Sequence, residues 1–173
     1  MNDALLLVDV IQRFEHEDGE RLRASFAERL AGLQAALERA RARGIPVVYA
    51  NDNEGVWDGD APALVRRAID RGRGGDLVAA VQPQPGERFV IKPRYSAFDQ
   101  TPLELILREL EIERILLAGA ATEMCVAQTA IQAREVGFKV TVLAHACATT
   151  DSELEQVALT YLERVVGVFV ARE

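Results

Sequence analysis

The amino-acid sequence predicts a three-layer α/β fold: a mainly parallel six-stranded sheet with helices on both faces. Three observations carry this. The run Ala4-Leu-Leu-Leu-Val8 is continuously apolar, as in a strand covered on both sides. Similar short runs alternate with helical patterns along the whole chain, which is the pattern of successive strand–helix–strand units. The connections between them are short, and no repeat, linker or low-complexity segment interrupts 1–173, so one domain is expected.

The elements follow in order. After the first strand, Arg21 to Arg43 reads as a long helix, because Leu22, Phe26, Leu30, Leu33 and Leu37 recur at helical spacing and form one stripe. Gly44 ends it and Pro46 precedes the second strand, Val47 to Ala50. Asn51 to Asp60 is a polar loop. Ala61 to Arg71 is helical, broken by Arg71-Gly-Arg-Gly-Gly75, and Asp76 starts a short helix through Val81. Phe89-Val-Ile91 is the third strand, ending at Lys92-Pro93. Thr101-Pro102 opens a helix to about Leu110, with proline at its first position. Arg114 to Ala118 is the fourth strand, the helix that opens at Cys125 runs to Glu135 and stops at Gly137, and Phe138 to Leu143 is the fifth strand. Asp151 caps a helix through Leu162, and Val165 to Val170 is the sixth strand.

In open α/β sheets the site lies beyond the carboxyl ends of the strands. Asp9, the Asn51 loop, Lys92 and the turn at Gly119 all fall there. The stretch Gly119-Ala-Ala-Thr-Glu-Met-Cys125-Val126 joins a strand to a helix through small residues and places a cysteine in the first helical turn. Thr122 is a suitable N-cap and puts Cys125 at N3. Unpaired N–H groups and the helix dipole there favour a thiolate and can hold an oxyanion. A buried packing cysteine is the competing reading of this stretch alone, with equal weight. Asp9 can act as a base toward Cys125, and Lys92 can keep Asp9 ionised and lower the cysteine pKa. Alone, each is more commonly a surface or loop-capping residue; three reactive types at three strand ends of one sheet change the balance.

These residues carry a resemblance. Leu5-Leu-Leu-Val-Asp9 followed by Phe14, then Lys92-Pro-Arg-Tyr-Ser-Ala-Phe98, then Gly119 to Val126, with Ala146-Cys-Ala-Thr149 downstream, together resemble the isochorismatase-like cysteine hydrolases, which include nicotinamidases and N-carbamoylsarcosine amidases. The resemblance spans nearly the whole chain. It implies that Asp9, Lys92 and Cys125 form a catalytic triad, that the Ala120–Ala121 peptide is cis, and that the N–H groups of Ala121 and Cys125 form an oxyanion hole. It implies that Phe14 lines the substrate pocket. It also implies attack of Cys125 on an amide or ureido carbonyl, release of an amine, and hydrolysis of the thioester. Dimers or tetramers are common in such a family, so a homo-oligomer is expected.

The chain departs from nicotinamidases, which carry an aspartate and two histidines as metal ligands near the second strand. Asn51 to Asp58 holds no histidine; Asp52, with Glu54 or Asp60, is the most that could serve. No metal and no other cofactor is expected, and nicotinamidase activity is disfavoured. Trp57 either covers the pocket or packs beside it, and Tyr95, close after Lys92, is placed at the pocket by position. Arg66, Arg67, Arg71 and Arg73 read as a solvated helix end. His16 and His145, tied to the cysteine by no motif, disfavour a Cys–His pair, and Cys147 reads as a packing residue.

Composition narrows the rest. A net charge of −7 excludes a general nucleic-acid binder. No apolar run reaches the roughly 20 residues of a membrane span, and Met-Asn-Asp-Ala is not the basic start of a signal peptide, so a cytoplasmic protein acting on a small molecule is expected. The two cysteines fit a reducing compartment. Beside the amidase reading stand a vinyl-ether hydrolase of the isochorismatase type, disfavoured by an intact Cys125; a non-catalytic oligomeric binding protein, disfavoured by three intact reactive residues; and a peroxide-sensing thiol, for which no resolving partner is identifiable.

Overall fold

The computed structural model describes residues 2–56 and 60–173. Six strands, β1 (Asp3–Val8), β2 (Val47–Asp52), β3 (Arg88–Lys92), β4 (Arg114–Ala120), β5 (Lys139–Ala148) and β6 (Phe169–Ala171), form one sheet in the order β3-β2-β1-β4-β5-β6. Every pairing is parallel. The helices are α1 (Gly19–Ala42), α2 (Ala61–Arg71), α3 (Gly75–Ala79), α4 (Leu103–Glu109), α5 (Ala127–Glu135) and α6 (Ser152–Tyr161). Two single π-helical turns, Thr122–Val126 and Leu162–Val166, lie before α5 and after α6.

The central strand shows why the sequence selects this arrangement. Every residue of β1 after Asp3 is buried, so both faces of the strand are covered and alternation has no role. Leu5, Leu6 and Leu7 are among the largest fully buried side chains, and truncating one to alanine would cost about 2–5 kcal/mol. The predicted stripe of α1 buries Leu22, Phe26, Leu33 and Leu37, while Leu30 is partly buried against the same core. The helix packs on β5, β1 and β4.

Strand order reverses between β1 and β4, the switch point at which open sheets leave a crevice beyond their carboxyl ends. Gly119 makes the close approach of these two strands possible. It lies opposite Val8, has φ +133°, and a Cβ there would fall 2.0 Å from the Val8 carbonyl oxygen.

Several expectations are corrected in detail. Val165 is not in a strand: Leu162–Val166 continues from α6 as a π turn, Gly167 ends it at φ +75°, and β6 begins only at Phe169. Apolar content without periodicity did not separate helix from strand there. β5 is longer than expected, running through Cys147 to Ala148 past a register shift between Leu117 and Gly119 of β4. Pro102 is the N-cap of α4 rather than its first residue. The basic run on α2 is not wholly solvated, since Nε and Nη2 of Arg67 are buried without a hydrogen-bond partner among the described residues. No described helix is long and apolar enough to cross a membrane.

Candidate active site

Asp9 is the first residue after β1 and sits at φ +50°, turned away from the strand. Its N–H continues the ladder to Ala50 O at 2.9 Å, and its Oδ1 accepts from Asp52 N at 2.8 Å. Lys92, the last residue of β3, pairs in register with Asp52. Its side chain reaches across β2, and Nζ lies 2.7 Å from Asp9 Oδ2, 3.6 Å from Cys125 Sγ and 2.9 Å from Arg94 O. The ammonium's three hydrogens thus meet three acceptors. Lys92 is 1% and Asp9 3% exposed, whereas Cys125 stays partly open. Three side chains from the ends of β1, β3 and β4 therefore converge, as the sequence anticipated.

Cys125 is placed differently from the expected capped helix. Ala121, not Thr122, is the N-cap residue, and the first turn is π-helical. The Ala121 carbonyl accepts from Met124 N at 3.1 Å and Val126 N at 3.2 Å, passing over Cys125 N. The Ala120–Ala121 peptide is cis. Thr122 is fully buried, and its hydroxyl bonds Ala148 O at 3.1 Å and Glu155 Oε1 at 2.9 Å. Glu155 in turn faces Arg29 of α1 at 3.3 Å. The turn that carries the thiol is thereby tied to β5, α6 and α1.

The electrostatics correct the expected resting thiolate. Burial pushes the Cys125 thiol up to about 12; the Asp9 carboxylate acts in the same sense, and the Lys92 ammonium opposes both. At neutral pH the sulfur is held as a thiol beside the Asp9 carboxyl group. Burial also raises the Asp9 carboxyl above the ordinary aspartate range, against the charge and hydrogen bond of Lys92. Burial disfavours the Lys92 ammonium, yet the Asp9 carboxylate and the hydrogen bonds to Asp9 and Cys125 hold its pKa above the usual lysine value. The group is a fixed cation, a proton-hungry carboxylate and a neutral thiol in contact.

The triad forms the floor of a cavity of about 670 Å³ lined by residues of the loops after β1, β2 and β3. Phe14 and Tyr95 line it, as expected. Phe14 is nevertheless 1% exposed, at φ +57°, its ring edge-on to Phe26 at 5.6 Å and close against Gly74, so it is a wall set in the core. Tyr95 is exposed at the rim. Trp57 lies outside the described residues. His16 lines the cavity without contacting the thiol, and His145 lines a separate crevice beside α1 with Asp3 and Arg114. Cys147 is fully buried.

The chain-wide pattern now has a counterpart among known proteins. The Isochorismatase domain family matches residues 3–173. The chain belongs to the isochorismatase family. Within it, the chain is similar to the uncharacterized protein YaaI of Bacillus subtilis, 31% identical over 170 residues that cover 98% of this chain and 93% of that protein. It is 30% identical over 185 residues to a maleamate amidohydrolase of Pseudomonas putida, covering 98% and 83%. Its structure is similar to that of N-carbamoylsarcosine amidase from Thermoplasma acidophilum, with TM-score 0.75, 26% identity, and coverage of 99% of this chain and 96% of that one.

In this isochorismatase-family chain the described acidic residues after β2 are engaged in local contacts. Asp52 Oδ1 accepts from Glu54 N at 2.6 Å, Glu54 faces Arg13, and Asp60 caps α2 by accepting from Ala63 N at 2.7 Å. Among the described residues no three His, Cys, Asp or Glu side chains are grouped to hold an ion.

Sequence reasoning missed two organising residues of this family member. Asn51 is buried and clamps the loop after β1, its Oδ1 accepting from Ile11 N at 2.9 Å and its Nδ2 donating to Ile11 O at 3.0 Å. A polar residue breaking an apolar strand at its end was the available signal. Glu155 reads as one more acidic residue in the first turn of α6, and nothing local reveals its buried partner.

Proposed function

We propose that the protein is a cysteine hydrolase that cleaves the C–N bond of a small amide or ureide, with Asp9, Lys92 and Cys125 as catalytic residues. The observation that carries this reading is the contact of Lys92 with both Asp9 and Cys125 at the floor of an open cavity. The relatives named as a maleamate amidohydrolase and an N-carbamoylsarcosine amidase support the bond type.

The reaction follows from the charges. Cys125 Sγ attacks the substrate carbonyl carbon while its proton passes to Asp9, whose raised pKa makes it a better acceptor than an ordinary aspartate. Lys92 remains protonated and offsets the negative charge passing through the site. The carbonyl oxygen becomes an oxyanion facing the N–H groups of Ala121 and Cys125. As the C–N bond breaks, Asp9 returns the proton to the nitrogen, and ammonia or an amine leaves. Water then attacks the thioester carbonyl, the C–S bond breaks, the sulfur recovers a proton, and the acid product departs. Phe14, Trp57 and Tyr95 are assigned to the substrate pocket, the cell compartment is assigned as cytoplasmic, and the working unit as a homo-oligomer.

The test is ammonia release from a panel of small amides and ureides, maleamate and N-carbamoylsarcosine among them. A substrate should accumulate as a Cys125 thioester on rapid quenching, and Cys125→Ala should abolish turnover. Ammonia release that survives Cys125→Ala overturns the thioester route, whereas cleavage of a vinyl ether with no ammonia release from any amide favours the isochorismatase-type reaction.

A further inference from the structure

We propose that the substrate of this cavity is a neutral or cationic amide or ureide and carries no carboxylate of its own. This deepens the function proposed above and rests on it.

The charged groups facing the cavity support the assignment. Lys92, Arg13 and Arg94 are its cations. Lys92 has no hydrogen left to offer, since Asp9, Cys125 and the Arg94 carbonyl take all three. Arg13 is paired with Glu15 and also lies 3.5 Å from Glu54 Oε2. Arg94 Nη1 is 3.1 Å from Asp99 Oδ2. Each of these three lining cations already has a carboxylate, and Arg67, whose charge acts on Glu54, is not among the described lining residues.

The carboxylates do not balance in the same way. Asp9, Glu15, Asp52 and Glu54 line the cavity, four against the three cations. Asp52 is the one without an ion pair: its Oδ1 accepts only from Glu54 N, and Lys92, its register partner, directs its ammonium to Asp9. The remaining walls include Ile11, Phe14 and Pro93, which offer a carboxylate nothing. A substrate carboxylate entering here would lose water, meet no unpaired cation among the described lining residues and face Asp52. A neutral amide escapes that penalty, and an ammonium group gains Asp52 as partner.

The thiol itself can report the field. Iodoacetamide and iodoacetate alkylate sulfur by the same displacement, forming S–C and releasing iodide, and differ by one negative charge. Cys147 is fully buried, so in the folded protein the adduct should form at Cys125, and peptide mass checks the site. With each rate divided by that for 2-mercaptoethanol at pH 9, iodoacetate should be slower than iodoacetamide by about tenfold or more. Asp52→Asn should narrow the gap by about threefold or more, and matched amides ending in a carboxylate should be turned over more slowly than their methyl esters. Iodoacetate reacting as fast as iodoacetamide, or an unchanged gap in Asp52→Asn, overturns the substrate class while leaving the hydrolase reading standing. Ammonia release that survives Cys125→Ala overturns the thioester reading on which this inference rests.

Discussion

The two sides of the cavity are built by different means. On the β4 side the thiol rides on a turn fastened by buried groups: Thr122 to Ala148 and Glu155, and Glu155 to Arg29. On the β1–β2 side the wall is made of loop residues at left-handed backbone angles, Phe14 at φ +57° and Glu54 at φ +54°, with Arg13 bridging Glu15 and Glu54 in partly exposed pairs. The proposed reacting atoms are held by the core, and the loop wall beyond Phe14 and the Asn51 clamp is held by charge pairs that water can weaken. A site divided in this way can change what it accepts without moving what it does.

Substitutions at the reacting atoms should give the largest effects. Cys125→Ala should lower kcat by roughly 10⁴-fold or more with an unchanged fold, read by turnover together with a thermal melt. Asp9→Asn should lower kcat/KM by about 10²–10⁴-fold. It should also drop the thiol pKa below its value of about 12, because a neighbouring negative charge is gone. Loss of activity with easier thiol ionisation separates base catalysis from simple activation of the sulfur, and the pH dependence of iodoacetamide labelling measures the second half.

The pH profile is the next test. Asp9 must be ionised to take the proton, and burial raises its pKa, so activity should fall as pH drops through a value above the ordinary aspartate pKa of roughly 4. An acid limb of kcat/KM at or below that value contradicts Asp9 as the base.

Glu155→Ala tests the fastened side. Loss of this buried acceptor leaves the Thr122 hydroxyl without one partner and should cost about 1–3 kcal/mol in urea unfolding, with kcat reduced as the turn loosens. Arg13→Ala tests the loop side and should have the smallest effect on stability, within about 1 kcal/mol, because its pairs are partly exposed. It should change KM several-fold and leave kcat near its original value. A kcat loss in Arg13→Ala as large as that in Glu155→Ala would erase the distinction between the two sides.

What the sequence disclosed follows the same division. The strands were legible because buried parallel strands are written as apolar runs, and Asp9 and Lys92 were legible as reactive residues immediately where two runs stop. Cys125 was legible as a residue of the turn after β4, but its true setting was not. Thr122 has the chemistry of a cap, and only the fold reveals that its hydroxyl is engaged 26 and 33 residues away. The protonation of the thiol was misjudged for the same reason: a helix start can be read locally, whereas burial beside Asp9 depends on three distant segments meeting. The bridge from Arg13 to Glu54 and the clamp of Asn51 on Ile11 are likewise contacts between loops, which no local pattern encodes.

Cys147 lies fully buried in β5, its sulfur 4.0 Å from the Leu117 carbonyl oxygen, while Cys125 opens to the cavity. The native protein therefore presents one accessible thiol, and the unfolded chain presents two. A mass spectrometer can count occupied sites on intact molecules against that internal standard, so any electrophile that mimics the acyl donor reports its own occupancy without engineering of the chain.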